Sequence, residues 1–228
     1  MILDLLELNK TFSKILKKQN FKKVFIISGK KTFYLHGINR MLVNLLKYYE
    51  YEIFLKKKSF PEIAELKKIL FRLDKFKPDL IIAVGGGSVI DYAKIANNIT
   101  STSKLKEKIS NSKLIFRKRA QLIALPTTAG SGAEVTPNAV LYINKIKHSI
   151  ENFSLRPDKF ILIPKLIIKC NKEIRASSGF DAIAQAIESL MSRKSNSKSI
   201  KFAIASLKLS LKNFLKFVKK PTMQNAKQ

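Results

Sequence analysis

The sequence holds one cysteine, two histidines and no tryptophan, and its 16 acidic residues face 44 lysines and arginines. With Cys170 alone, no internal disulfide can form and no cysteine-based metal cluster can assemble within one chain. The thiol is expected to be buried and inert. No stretch approaches the ~18 consecutive apolar residues of a membrane-spanning helix. The N-terminus, with Asp4 and Glu7 among leucines, lacks the charge order of a signal peptide. These absences predict a cytoplasmic protein with no membrane partner. The shortage of acids leaves a net charge of +28, which suggests phosphate neutralisation on a nucleic acid. The lysines, however, are spread over almost every segment, they far outnumber the arginines, and no basic run is interleaved with aromatics as a stacking platform requires. No specific nucleic-acid partner is expected, only nonspecific attraction at low salt.

What is present is ample apolar content, 46% of 228 residues, enough for a buried core. Residues 3–19 space Leu5, Leu8, Phe12, Ile15 and Leu16 as an amphipathic helix. A strand over 23–28, a helix over 38–49, a strand over 51–55 and a helix over 61–76 follow. Strands alternating with long helices imply parallel pairing in a doubly wound α/β sheet. Residues 100–113 read as a surface loop. Further strands are expected over 121–125, 140–143 and 159–163, the last two flanking Lys147, His148 and Arg156. From Lys172 onward only helices are expected, over 177–192 and 199–218, so composition puts a domain change within 164–171.

The stretch DLIIAVGGGSVIDYAK, residues 79–94, reads as strand, tight loop and helix. Successive glycines let the backbone turn sharply and approach a ligand, and a helix start attracts an anion such as phosphate. Ser88 is placed as N-cap and phosphate donor. A plain helix-entry turn is the other reading, and the spelling matches neither the spaced-glycine dinucleotide fingerprint nor the Lys-Ser/Thr phosphate loop. After the strand over 121–125 comes PTTAGSGAEVT, residues 126–136, whose hydroxyls and small side chains suit a loop around a polar ligand, or else a solvated turn. Two such loops after two strands of one sheet support each other. Downstream, Asp181 and Gln185 stand one helical turn apart, with Glu188 continuing the face; they can share a cation or form an ordinary polar face.

GGGSVIDYAK at 85–94, LPTTAGSGAEVT at 125–136 and GFDAIAQAIES at 179–189, in that order, resemble the iron-containing (group III) alcohol dehydrogenase family. The resemblance implies a dehydroquinate synthase-like fold: a Rossmann-like α/β dinucleotide-binding domain over residues 1–168, then the start of an all-α domain over 169–228, with the active site in the cleft between. It implies that Gly86, Gly87 and Ser88 cradle the pyrophosphate of NAD(P)H, with Asp91 in the same motif. Thr127, Thr128 and Ser131 would close over the cofactor, and Asn138 and Lys147 would make further contacts to it. Where relatives end the first strand in an aspartate that binds the ribose, this chain has Gly29, Lys30 and Lys31, which favours a 2′-phosphate and hence NADPH.

For the metal, Fe²⁺ or Zn²⁺, Asp181 matches the family's aspartate, Gln185 stands where the first histidine would be, and the two later histidines cannot be present because His36 and His148 both precede the motif. Glutamine at this place resembles a subset of the family that includes reductases of phosphorylated or phosphonated small aldehydes. The resemblance therefore implies a metal-assisted dehydrogenase or reductase acting on a small aldehyde or alcohol, cut short within its helical domain, with a homodimer open to it. A nucleotide-binding fragment without turnover is the alternative.

Overall fold

The computed structural model describes residues 5–35, 37–100 and 103–227; Leu3 of the first expected helix and His36 lie outside them. The chain forms two compact units, one of residues 1–126 with 133–162 and one of residues 127–132 with 163–228.

The first unit begins with helix α1, Leu5–Lys18, which buries Phe12 and Leu16. Strands β1, Lys23–Gly29; β2, Glu50–Lys56; β3, Leu80–Gly85; β4, Gln121–Pro126; and β7, Lys159–Phe160, form a parallel five-stranded sheet in the order β2-β1-β3-β4-β7. All six residues of β3 are buried, as expected of a central parallel strand covered on both faces. Between the strands lie α2, Lys30–Leu35; α3, Ile38–Leu45; α4, Ile63–Phe76; and α5, Gly87–Asn98. β3 and β4 run in register to their ends, with Gly85 opposite Pro126. Both predicted ligand loops therefore leave the same edge of the sheet, where ligands of doubly wound folds bind.

Lys30 and Lys31, which follow the first strand in the sequence, open α2. Two expectations are corrected. The stretch 100–113 is not all loop, because α6, Leu105–Ser110, buries Leu105 and Ile109 one turn apart. Lys147 and His148 do not lie in a connection: they belong to β6, Ile146–Glu151, which pairs antiparallel with β5, Asn138–Ile143, in a hairpin separate from the main sheet. Ala139, Leu141, Ile143 and Ile150 face the core, so alternation leaves Asn138, Tyr142 and Lys147 on the outer side.

The helix α5 is held from several directions. From Val89 to Asn98 every residue but Asp91 is buried. The Tyr92 hydroxyl accepts the Glu62 N–H at 2.6 Å and donates to the Glu65 carboxylate at 3.0 Å. At the other end the Asn97 side chain exchanges two hydrogen bonds with the Ala120 backbone, each 3.0 Å.

The second unit contains α7, Pro164–Ile168; α8, Lys172–Met191; α9, Ser197–Lys219; and α10, Met223–Lys227. Asn171 caps α8, and Asn196 with Ser199 forms a capping box on α9. Phe180 and Phe214 meet edge to face, 5.0 Å between ring centres, beside Gly179. No helix among the described residues is long and apolar enough to cross a membrane.

Candidate functional site

Gly85 ends β3 because nothing larger fits: a Cβ there would lie 2.5 Å from the Val89 side chain, one turn into α5. The helix then starts earlier than the sequence suggested. Gly86 is the N-cap, with extended backbone, and Ser88 is the second helical residue, with no side-chain capping bond at this terminus. The expectation that Ser88 caps the helix is therefore corrected: three glycines in a row leave the starting point open, and the chain takes the first of them that follows the strand. The consequence favours a ligand. The Val89 and Ile90 N–H groups bond back to the Gly86 carbonyl, while those of Gly87 and Ser88 precede the first intrahelical bond and present the positive end of the helix dipole at the sheet's carboxyl edge. The Ser88 hydroxyl makes no hydrogen bond among the described residues.

The same unit brings Asn138 and Lys147 onto one hairpin, with Asn138 exposed at the start of β5 and Lys147 exposed on β6 opposite Tyr142. Asp91 ties that hairpin to α5, since its carboxylate accepts the Val140 N–H at 3.2 Å. Burial raises the Asp91 carboxyl to about 6, against the opposing pull of Lys94, the Val140 bond and Lys147. Lys94, one turn on, is fully buried, a cation that the sequence gives every reason to place in solvent.

Thr127, Thr128 and Ser131 belong to the second unit. Thr127 is buried, and its carbonyl accepts the Cys170 thiol at 3.0 Å. Cys170 is half-buried rather than buried as expected, and what burial it has pushes its thiol up. Gly130 lies against the Ser178 backbone of α8. Asp181 and Gln185 sit one turn apart on α8, both exposed. Among the described residues no three histidine, cysteine, aspartate or glutamate side chains gather in a way that could hold a metal. Two exposed oxygen donors do not make the four-ligand shell that Fe²⁺ or Zn²⁺ takes in proteins, so the residues present do not fit a complete metal centre. Separately, a cavity of about 800 Å³ at the hairpin turn, bordered by Phe60, Tyr142, Lys67, Lys106 and Lys145, contains none of the residues singled out by the sequence.

Residues 8–164 match the model of the family described as iron-containing alcohol dehydrogenase. The chain belongs to the iron-containing alcohol dehydrogenase family. Among its relatives, aldehyde-alcohol dehydrogenase 2 of Entamoeba histolytica is 32% identical over 214 residues, 87% of this chain and 25% of that protein. The alcohol dehydrogenase of Thermococcus barophilus is 31% identical over 196 residues, 82% of this chain and 52% of that protein. Among solved structures, the sulfoacetaldehyde reductase of Bifidobacterium kashiwanohense in complex with NAD⁺ superposes with a TM-score of 0.89 at 25% identity, covering 99% of this chain and 60% of that one. The chain thus spans between a quarter and three fifths of the length of these family members. Membership accounts for the strand, glycine turn and helix order of the first unit.

Proposed function

We propose that this chain supplies the cofactor-binding half of an NAD(P)-dependent dehydrogenase or reductase of small aldehydes and alcohols. One observation carries the reading: β3 ends in three glycines at the N-terminus of an uncapped twelve-residue helix, at the edge of the sheet where β4 also ends. In this proposal residues 1–168 form the dinucleotide domain and 169–228 open the helical one. The N–H groups of Gly87 and Ser88, with the Ser88 hydroxyl, take the diphosphate. Asn138 and Lys147 reach the ribose side from the hairpin, and Thr127, Thr128 and Ser131 supply hydroxyls from the next loop. The bound nicotinamide supplies hydride exchange with the carbonyl carbon of the substrate. This chain's own residues hold and orient the cofactor; Asp181 and Gln185 offer two oxygens to a cation, and no catalytic step is assigned to them.

Titration calorimetry with NADPH and NADH tests the binding half. Saturable one-site binding supports it, and no heat with either cofactor removes it. Oxidation of NADPH with sulfoacetaldehyde, phosphonoacetaldehyde and short aliphatic aldehydes, with Fe²⁺ or Zn²⁺ added, tests turnover. The incomplete donor set on α8 favours a second reading, a nucleotide-binding module without turnover. Cofactor binding with no oxidation under any metal is its expected signature.

The lysine pair at the start of α2 motivates a cofactor preference. Gly29 ends β1, and a Cβ there would lie 3.6 Å from the Thr32 hydroxyl, an ordinary contact, so a side chain fits without rearrangement. Gly29→Asp restores an acceptor for a ribose 2′-hydroxyl and repels a 2′-phosphate. It is expected to shift the ratio of NADPH to NADH affinity toward NADH by about tenfold, read by parallel calorimetric titrations. An unchanged ratio would show that this strand end does not meet the ribose.

A further inference from the structure

The helix that presents the cradle also carries an ammonium that none of the cofactor contacts explains. Lys94 has no exposed surface, and its Nζ donates to the Thr136 hydroxyl at 3.0 Å and to the Asn138 carbonyl at 2.9 Å. One turn earlier Asp91 accepts the Val140 N–H at 3.2 Å. Three points along residues 136–140 are thus pinned by two charged side chains of α5. The acidic groups whose charge reaches Lys94 are Asp91 and Glu134, and Lys147 on β6 is the other cation felt by Asp91.

This arrangement is an expensive way to join a helix to a hairpin. Burial lowers Lys94 to about 8 and raises Asp91 to about 6. The unfolded chain holds the Lys94 proton more tightly than the folded one. The charge therefore detracts from stability below about pH 8, and that cost fades as pH rises toward the ordinary lysine value of 10.5. Asp91 runs the other way: the folded state holds its proton more tightly, so its contribution is greatest at acid pH and declines as pH rises through about 6. Near neutrality both charges cost stability, and an apolar side chain of similar volume would join the elements at less expense. What the ions provide is directed, charge-assisted hydrogen bonds that fix where Asn138 starts β5.

We propose that Lys94 is a positioning residue that sets the β5–β6 hairpin, and with it Asn138 and Lys147, at a fixed distance from the cradle amides of Gly87 and Ser88. This rests on the dinucleotide reading above.

The test uses Lys94→Met, which keeps the stem and removes the charge and donors, with Thr136→Val as a milder variant that deletes one acceptor. Lys94→Met is expected to keep the parent's circular dichroism and bind NADPH roughly tenfold more weakly. The parent's affinity is expected to weaken between pH 7 and 9, and this dependence should vanish in the variant. Amide exchange over residues 136–140 is expected to accelerate. Should Lys94→Met fail to fold, Thr136→Val is expected to accelerate amide exchange over residues 136–140 and to weaken NADPH binding about threefold, with the pH dependence kept because the Lys94 amine remains. NADPH affinity, pH profile and exchange all matching the parent in a folded variant would overturn the proposal. If the parent itself does not bind NADPH, the dinucleotide reading fails, while exchange over 136–140 still decides whether Lys94 positions the hairpin.

Discussion

Ser88→Asp is expected to lower NADPH affinity by at least about thirtyfold, close to 2 kcal/mol of charge repulsion in a partly screened setting, without lowering the melting temperature. The two effects separate because they act through different partners. As the second residue of α5, with no capping bond to lose, an aspartate sits favourably in the first turn and adds about 0.3–1 kcal/mol to the helix. The same carboxylate faces any diphosphate that settles on the Gly87 and Ser88 N–H groups. Calorimetry with NADPH and a melting curve on one preparation read both. Parent-like affinity would show that the diphosphate does not meet this turn. A fall in melting temperature alone would show that Ser88 serves the fold.

The second large effect is on stability. Gly130→Ala is expected to destabilise the second unit by about 2–3 kcal/mol. The new methyl would overlap the Ser178 carbonyl, with the carbonyl carbon 2.9 Å from the added Cβ. That carbonyl belongs to the backbone of α8 and cannot swing aside as a side chain would; relief requires moving either the helix or the 127–132 segment. Urea unfolding followed by circular dichroism should show the midpoint shifted and the slope kept. Ala129→Ser, at the exposed neighbouring position, should leave the midpoint in place. An unshifted midpoint for Gly130→Ala would mean that the segment does not press on α8.

Much of this was legible in the residues. The buried strands and long helices announce themselves through uninterrupted β-branched runs and stripes at helical spacing, and the glycine triplet marks its own turn. The failures have physical causes. The α6 turn was hidden because only Leu105 and Ile109 carry its apolar signal, although their four-residue spacing could have revealed it. Lys147 and His148 gave no strand signal because β6 has one buried residue, Ile150, so half its alternation is lost among polar side chains. The burial of Lys94 has no local signature because its partners, Thr136 and the Asn138 carbonyl, lie more than forty residues away; no local pattern encodes such a pairing. The segment 127–132 reads as a loop after β4, and its composition does not reveal that it packs with the helices, where Gly130 lies against the Ser178 backbone of α8 and the Thr127 carbonyl meets the Cys170 thiol.

The burial of α5 along nearly its whole length also bears on the thermodynamics of capture. A helix wedged in this way cannot rock or fray at its root, so the amides at its tip are aimed before anything arrives. On the proposed reading, a dinucleotide landing there would give up its own freedom but demand little from the protein, and association is expected to proceed without a slow rearrangement phase in stopped-flow traces.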